Sequence, residues 1–173
     1  MSKQKKIATE DKTRTNLITH LTNKLLVEVL LLISYLPFRI IYFISDFLSF
    51  ILSKVIKYRR KVILENLSYA FPEKSDSEIR SIMKKFYSHL SDLILETIKL
   101  HTISTKNLNK RITVHGLDEA ENYYKQNKSL VVLGMHHNNW EWSGIIQKNA
   151  QHKVLVIYNP VRGNKTFEKF LIH

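Results

Sequence analysis

The chain has 173 residues, with 27 Lys plus Arg against 15 Asp plus Glu, a formal charge of +12 and a sequence pI near 9.8; such an excess implies an anionic partner, either lipid head groups or nucleic acid. Cysteine is absent, which excludes a thiol nucleophile and a disulfide framework and agrees with the cytoplasmic side of a membrane. With four glycines and no Gly-rich phosphate loop, nucleotide hydrolysis and dinucleotide redox chemistry are poor candidates.

Residues 1–24 are polar and basic, with Lys3, Lys5, Lys6, Lys12, Arg14 and Lys24, and lack the apolar centre of a signal peptide, so a loose basic tail is expected. Residues 25–56 are dominated by Leu, Ile, Val, Phe and Tyr, and 25–61 are expected to form apolar membrane-anchoring helices. Glu28, Arg39 and Asp46 interrupt them and Pro37 divides them, leaving no run of about 18 uncharged residues for a clean transmembrane helix. Two shorter helices forming a monotopic or re-entrant anchor on the inner leaflet are expected; the alternative is that they pack on the globular part as core helices. Lys54, Lys57, Arg59, Arg60 and Lys61 adjoin the apolar stretch. A basic cluster beside apolar residues suits an anionic membrane surface and decides the charge question for lipid rather than nucleic acid. Neither a recognition-helix pattern nor an aromatic RNA motif supports the nucleic-acid alternative.

Ser75-Asp76-Ser77-Glu78 matches a capping box, and Ile79, Ile82, Met83, Phe86, Leu90, Leu93, Ile94 and Ile98 recur at helical spacing, predicting a long amphipathic helix with a packing face. Beyond Lys110 the pattern alternates. Ile112–Val114 reads as a short strand, Leu117–Gln126 as a helix, Leu130–Met135 as a buried strand, Trp140–Ala150 as a helix and Val154–Tyr158 as the next strand, with another helix opening near Lys165. That order predicts an α/β sandwich built on a parallel sheet, preceded by N-terminal membrane-associated helices. His89, His101, His115 and His152 have no partner spacing that suggests chemistry.

The chemistry-bearing stretch is Gly134-Met135-His136-His137-Asn138-Asn139-Trp140-Glu141-Trp142. In a continuous helix residues five apart lie about 140° around the axis, and in a continuous strand roughly 16 Å apart, so neither lets His136 meet Glu141. A strand, a tight turn and a helix start brings them together, with Asn138 or Asn139 as the N-cap and Glu141 favoured by the positive helix end. A carboxylate on one imidazole nitrogen fixes the tautomer, and the other nitrogen then accepts a proton from an alcohol near neutral pH. The competing reading is a well-capped helix after a core strand with two incidental histidines. Metal ligation is not expected, because adjacent His136 and His137 point apart in an extended chain and no histidine pair sits at i, i+4.

These residues resemble the His-x-x-x-x-Glu block of the bacterial late acyltransferases of lipid A biosynthesis, the lauroyl and myristoyl transferase group. Tyr58–Leu67 with Ala70-Phe71-Pro72, then Phe86-Tyr87, Asp92, Glu96-Thr97, Val114–Leu117 and Tyr158-Asn159-Pro160, are similar to further pieces of that family, so the resemblance covers about residues 25–173. It implies an O-acyltransferase on the cytoplasmic face of the inner membrane, with 62–173 an incomplete α/β acyltransferase domain. The donor is an acyl thioester on acyl carrier protein or coenzyme A, and the acceptor a hydroxyl of a lipid A precursor or related lysolipid, with no cofactor. His136 is the implied general base and Glu141 its orienter; Asn139 and Arg162 are the substrate-binding candidates, with Asn139 and Trp140 expected first of all to shape the turn and the Asn139 side chain able to help hold the acceptor. Family members are longer, so the chain is expected to be C-terminally truncated, and the alternative is a non-catalytic basic membrane-binding remnant.

Overall fold

The computed structural model describes residues 3–157, with side chains from residue 19 onward. Helix α1 spans Lys3–Tyr35 and α2 spans Phe38–Phe50, running into a π-helical turn at Ile51–Val55. Then follow α3 (Arg60–Ala70), α4 (Asp76–Lys99), α5 (Thr105–Asn109), α6 (Leu117–Lys125), a 3-10 turn at Trp140–Gly144 and α7 (Ile145–Asn149). Ser34–Lys153 form one compact unit, and the greater part of α1 belongs to another.

The α/β sandwich predicted from the sequence is not formed: no strand occurs among the described residues. Ile112–Val114 and Leu130–Met135 run without regular structure, and Val131, Leu133 and Met135 are 90, 92 and 79% exposed. An apolar run becomes a buried strand only when flanking strands take up its N–H and C=O groups and helices cover its faces. Neither covers this run among the described residues, so periodicity alone did not decide its state. Ile112 and Val114 instead lie half-buried against Leu108, Trp142 and Ile145.

The helical half follows local rules more closely. Pro37 separates α1 from α2, since its ring disfavours helical backbone at Leu36 and then serves as the cap of α2. The basic segment expected as a loose tail is helical from Lys3, continuous with α1. No helix among the described residues is long and apolar enough to cross a membrane. Helix α4 opens with the anticipated capping box: the Ser75 amide donates to Glu78 Oε2 (2.9 Å) and the Glu78 amide to Ser75 Oγ (3.4 Å). Its buried stripe is Ile79, Met83, Tyr87, Ser91, Leu95 and Ile98. Phe86 and Ile94, expected inside, are 40% exposed, because Tyr87 and Ser91 take the inward positions between them.

Helices α2 and α3 both pack on α4. At the α2 crossing the small side chains of Ser45 and Ser91 are fully buried and let the backbones approach, while Ser45 Oγ donates to Asp92 Oδ1 at 2.6 Å. Ile63 of α3 joins Met83 and Tyr87, with Leu52 and Leu67 beside them. At the far end of α4 the buried Lys99 donates from Nζ to the carbonyls of Ser34 (2.7 Å) and Leu36 (3.0 Å). Burial pulls this ammonium below its ordinary pKa, and carbonyls at the end of α1 supply its acceptors.

Candidate active site

The His136–Glu141 segment is bent by Asn138, whose φ of 53° lies in the left-handed region that asparagine tolerates better than most residues. The His137 amide donates to the Met135 carbonyl at 2.9 Å and the Trp142 amide to the Asn139 carbonyl at 3.2 Å, closing the bend into the 3-10 turn. In that bend the His136 ring lies 4.5 Å from the Trp140 ring, centroid to centroid, with the planes tilted by 55°. Both side chains remain open to solvent. Partial desolvation raises the pKa of Glu141, and the positive charge on His136 draws it back. The two groups therefore sense one another electrostatically, without a direct hydrogen bond. Glu141 keeps solvent contact, so water screens part of this coupling.

Asn139 begins the turn, as expected for a cap, but its side chain caps no backbone N–H. Its Nδ2 instead donates to Glu96 Oε2 on α4 at 2.6 Å. The other oxygen of that carboxylate, Oε1, accepts from the Tyr42 hydroxyl of α2 at 2.7 Å, and the Glu96 carbonyl accepts from Trp142 Nε1 at 3.4 Å. Burial first, and then the bond to Glu96, push the Tyr42 hydroxyl up to about 12. Trp142 itself is buried beside Leu108 and Ile145, and Phe38 meets it edge-on at 6.3 Å. Arg111 stacks its guanidinium over the Phe38 ring, 3.5 Å from the centroid.

A cleft of about 690 Å³ opens against this framework, bordered by His89, Glu96, Arg111, His115, His137 and Asn139. His137, not His136, borders it; His136 and Glu141 stand outside it. Sequence spacing assigned nothing to His89 and His115, and the fold gathers them there from α4 and the segment before α6. Glu96 and Tyr42 were likewise not anticipated as parts of the site. Their signal was faint: Asp92 and Glu96 are two acids one turn apart in an otherwise apolar helix stretch, and each receives a hydroxyl from α2.

Arg162 and the Tyr158-Asn159-Pro160 segment lie outside the described residues. The basic cluster is described in full. The π-helical turn hands over to a corner in which Lys57 and Arg59 take left-handed φ values of 53° and 47°, and Tyr87 Oη donates to the Tyr58 carbonyl at 2.8 Å, fixing the corner to α4. Lys54, Lys57, Arg59, Arg60 and Lys61 are all exposed, Lys61 within 3.8 Å of Glu65. On α2 itself Ile40, Phe43, Phe47 and Phe50 recur every three or four residues and are 44, 75, 64 and 56% exposed. They form an uncovered apolar stripe that ends at the basic corner. No group of histidine and acidic residues suited to a metal ion occurs among the described residues.

The sequence profile of a family described as bacterial lipid A biosynthesis acyltransferase matches residues 8–173. Among curated proteins, the chain is 25% identical over 133 residues to a lipid A biosynthesis acyltransferase of Haemophilus influenzae, covering 77% of this chain and 42% of that one. It is 25% identical over 134 residues to a lipid A biosynthesis lauroyltransferase of Escherichia coli K12, covering 78% of this chain and 44% of that protein. A palmitoleoyltransferase of lipid A biosynthesis from the same organism is 24% identical over 125 residues, 72% of this chain and 40% of its own length. The chain thus spans less than half the length of the curated relatives it matches. No solved structure matches it.

Proposed function

The chain belongs to the bacterial lipid A biosynthesis acyltransferase family, and on that premise we propose that the protein moves a fatty acyl chain from an acyl thioester to a hydroxyl of a lipid A precursor or related lysolipid at a membrane surface. The observation that carries the reading is the bend at Asn138, which leaves the His136 ring open to solvent against Trp140 and opens the turn that holds Glu141. His136 removes the proton from the acceptor hydroxyl while the oxygen forms a bond to the thioester carbonyl carbon. The tetrahedral intermediate then collapses, the carbon–sulfur bond breaks, and the imidazolium returns its proton to the departing thiolate. Glu141 stabilises the imidazolium between these steps. The thioester is carried by acyl carrier protein or coenzyme A, and the chemistry needs no cofactor.

Membrane docking is assigned to the apolar stripe of α2 together with Lys54, Lys57, Arg59, Arg60 and Lys61, on the cytoplasmic face of the inner membrane. Aromatic side chains beside a basic corner suit the boundary of an anionic leaflet, where each cation near the surface contributes about 1 kcal/mol. The test is His136→Ala in the full-length protein, presented with labelled acyl thioesters on acyl carrier protein and on coenzyme A in separate arms. Loss of lipid acylation with vesicle binding intact is expected. Undiminished turnover in this variant ends the reading, and vesicle binding by a wild-type protein that never transfers an acyl chain favours a non-catalytic membrane-binding protein.

A further inference from the structure

We propose that Glu96 is a positioning residue for this site: its carboxylate, held on one side by Tyr42, holds Asn139 on the other and so fixes the turn that carries His136 and Glu141. The proposal rests on the acyl-transfer reading for its catalytic meaning, and on the hydrogen-bond geometry for its structural content. Both carboxylate oxygens are engaged, Oε1 by Tyr42 and Oε2 by Asn139, at 2.7 and 2.6 Å. Hydrogen bonds of such lengths to a carboxyl group are the stronger kind. The backbone of the same residue takes the Trp142 indole N–H at 3.4 Å. Both ends of the 139–142 turn therefore hang from one residue of α4, whose neighbours Leu95 and Ile98 are buried. Between those two anchors lie Trp140, which packs on the His136 ring, and Glu141, which senses its charge.

This arrangement gives Asn139 its hold on the turn through Glu96 and not through a cap on the backbone. Its Nδ2 donates to Glu96, and on this proposal it acts through the fold and not on the acceptor lipid. A misplacement of about 1 Å in a reacting group costs on the order of 100-fold in rate. That is the size of effect expected when the Glu96–Asn139 link is broken.

Asn139→Asp sets two carboxylates against each other, and adding Glu96→Gln restores a donor and an acceptor in reversed order. In the full-length protein Asn139→Asp is expected to lower kcat about 100-fold with KM within about threefold, and the double variant to recover most of the loss. A second readout needs no turnover. Trp140 packs on the His136 ring, and a protonated imidazole quenches an indole packed on it, so the part of the pH-dependent tryptophan emission that His136→Asn removes reports this contact. Asn139→Asp, and the gentler Asn139→Ala, are expected to remove at least half of that pH-dependent step. The double variant restores it, and His136→Asn, as a control, abolishes it. The proposal is overturned if the reversed pair stays as impaired as Asn139→Asp, which makes Asn139 a substrate contact, or if Asn139→Ala leaves the fluorescence step intact. If no form of the protein transfers acyl chains, the acyl-transfer reading fails alone, and the fluorescence step still decides the role of Glu96.

Discussion

Replacing Phe43 and Phe47 by serine tests membrane docking where the structure gives it a magnitude. The two rings are 75 and 64% exposed; with roughly 200 Å² of surface per phenylalanine they offer about 280 Å² to an apolar phase. At about 25 cal/mol per Å² complete burial would be worth roughly 7 kcal/mol, and a helix lying in the interface reaches about half of that. Allowing for what serine retains, the double substitution should weaken membrane binding by about 3 kcal/mol, on the order of 100-fold. Co-sedimentation with vesicles of phosphatidylglycerol and phosphatidylethanolamine, at low salt and at about 1 M salt, reads both contributions. At about 1 M the Debye length is near 3 Å and the attraction of Lys54, Lys57, Arg59, Arg60 and Lys61 is lost. The wild type should then bind weakly through the stripe, and Phe43→Ser/Phe47→Ser should not bind. Folding should be unaffected within about 0.5 kcal/mol, because neither ring packs inward. Sedimentation of the double variant equal to wild type at both salt concentrations refutes the assignment of this face.

Two further expectations follow from titratable groups. Glu141 has its pKa raised, chiefly by desolvation, so its contribution to stability is present below the ordinary carboxylate range and is lost as pH rises through the raised value. Glu141→Gln is therefore expected to leave thermal stability at neutral pH unchanged or slightly higher while acyl transfer falls, and a clear drop in melting temperature contradicts it. Tyr42 is displaced the same way, from 10.0 to about 12; its contribution is complete below pH 10 and disappears as pH rises toward 12. Tyr42→Phe should cost about 1 kcal/mol in urea unfolding at neutral pH and flatten the alkaline loss of stability, and an unchanged alkaline limb shows that Tyr42 is not its source.

The chain's own local chemistry determined where α2 and α4 begin, though not the helix over the basic segment from Lys3. Pro37 cannot continue α1, Ser75 and Glu78 cap each other whatever surrounds them, and the apolar period from Ile79 to Ile98 has one helical solution. The bend at Asn138 was legible as well, since residues five apart can approach only where the chain turns. The sheet was not legible, because a strand exists only through its neighbours: Leu130–Met135 has the composition of one, yet no partner lies beside it among the described residues. Contacts across sequence decided the rest. Nothing in the order of residues joins Tyr42, Glu96 and Asn139, which are brought together only when α2 crosses α4 at its buried serines and the turn settles on the end of α4. The same crossing settled which face of α2 stayed uncovered, because an amphipathic pattern says that a helix has sides but not which neighbour will arrive to cover them.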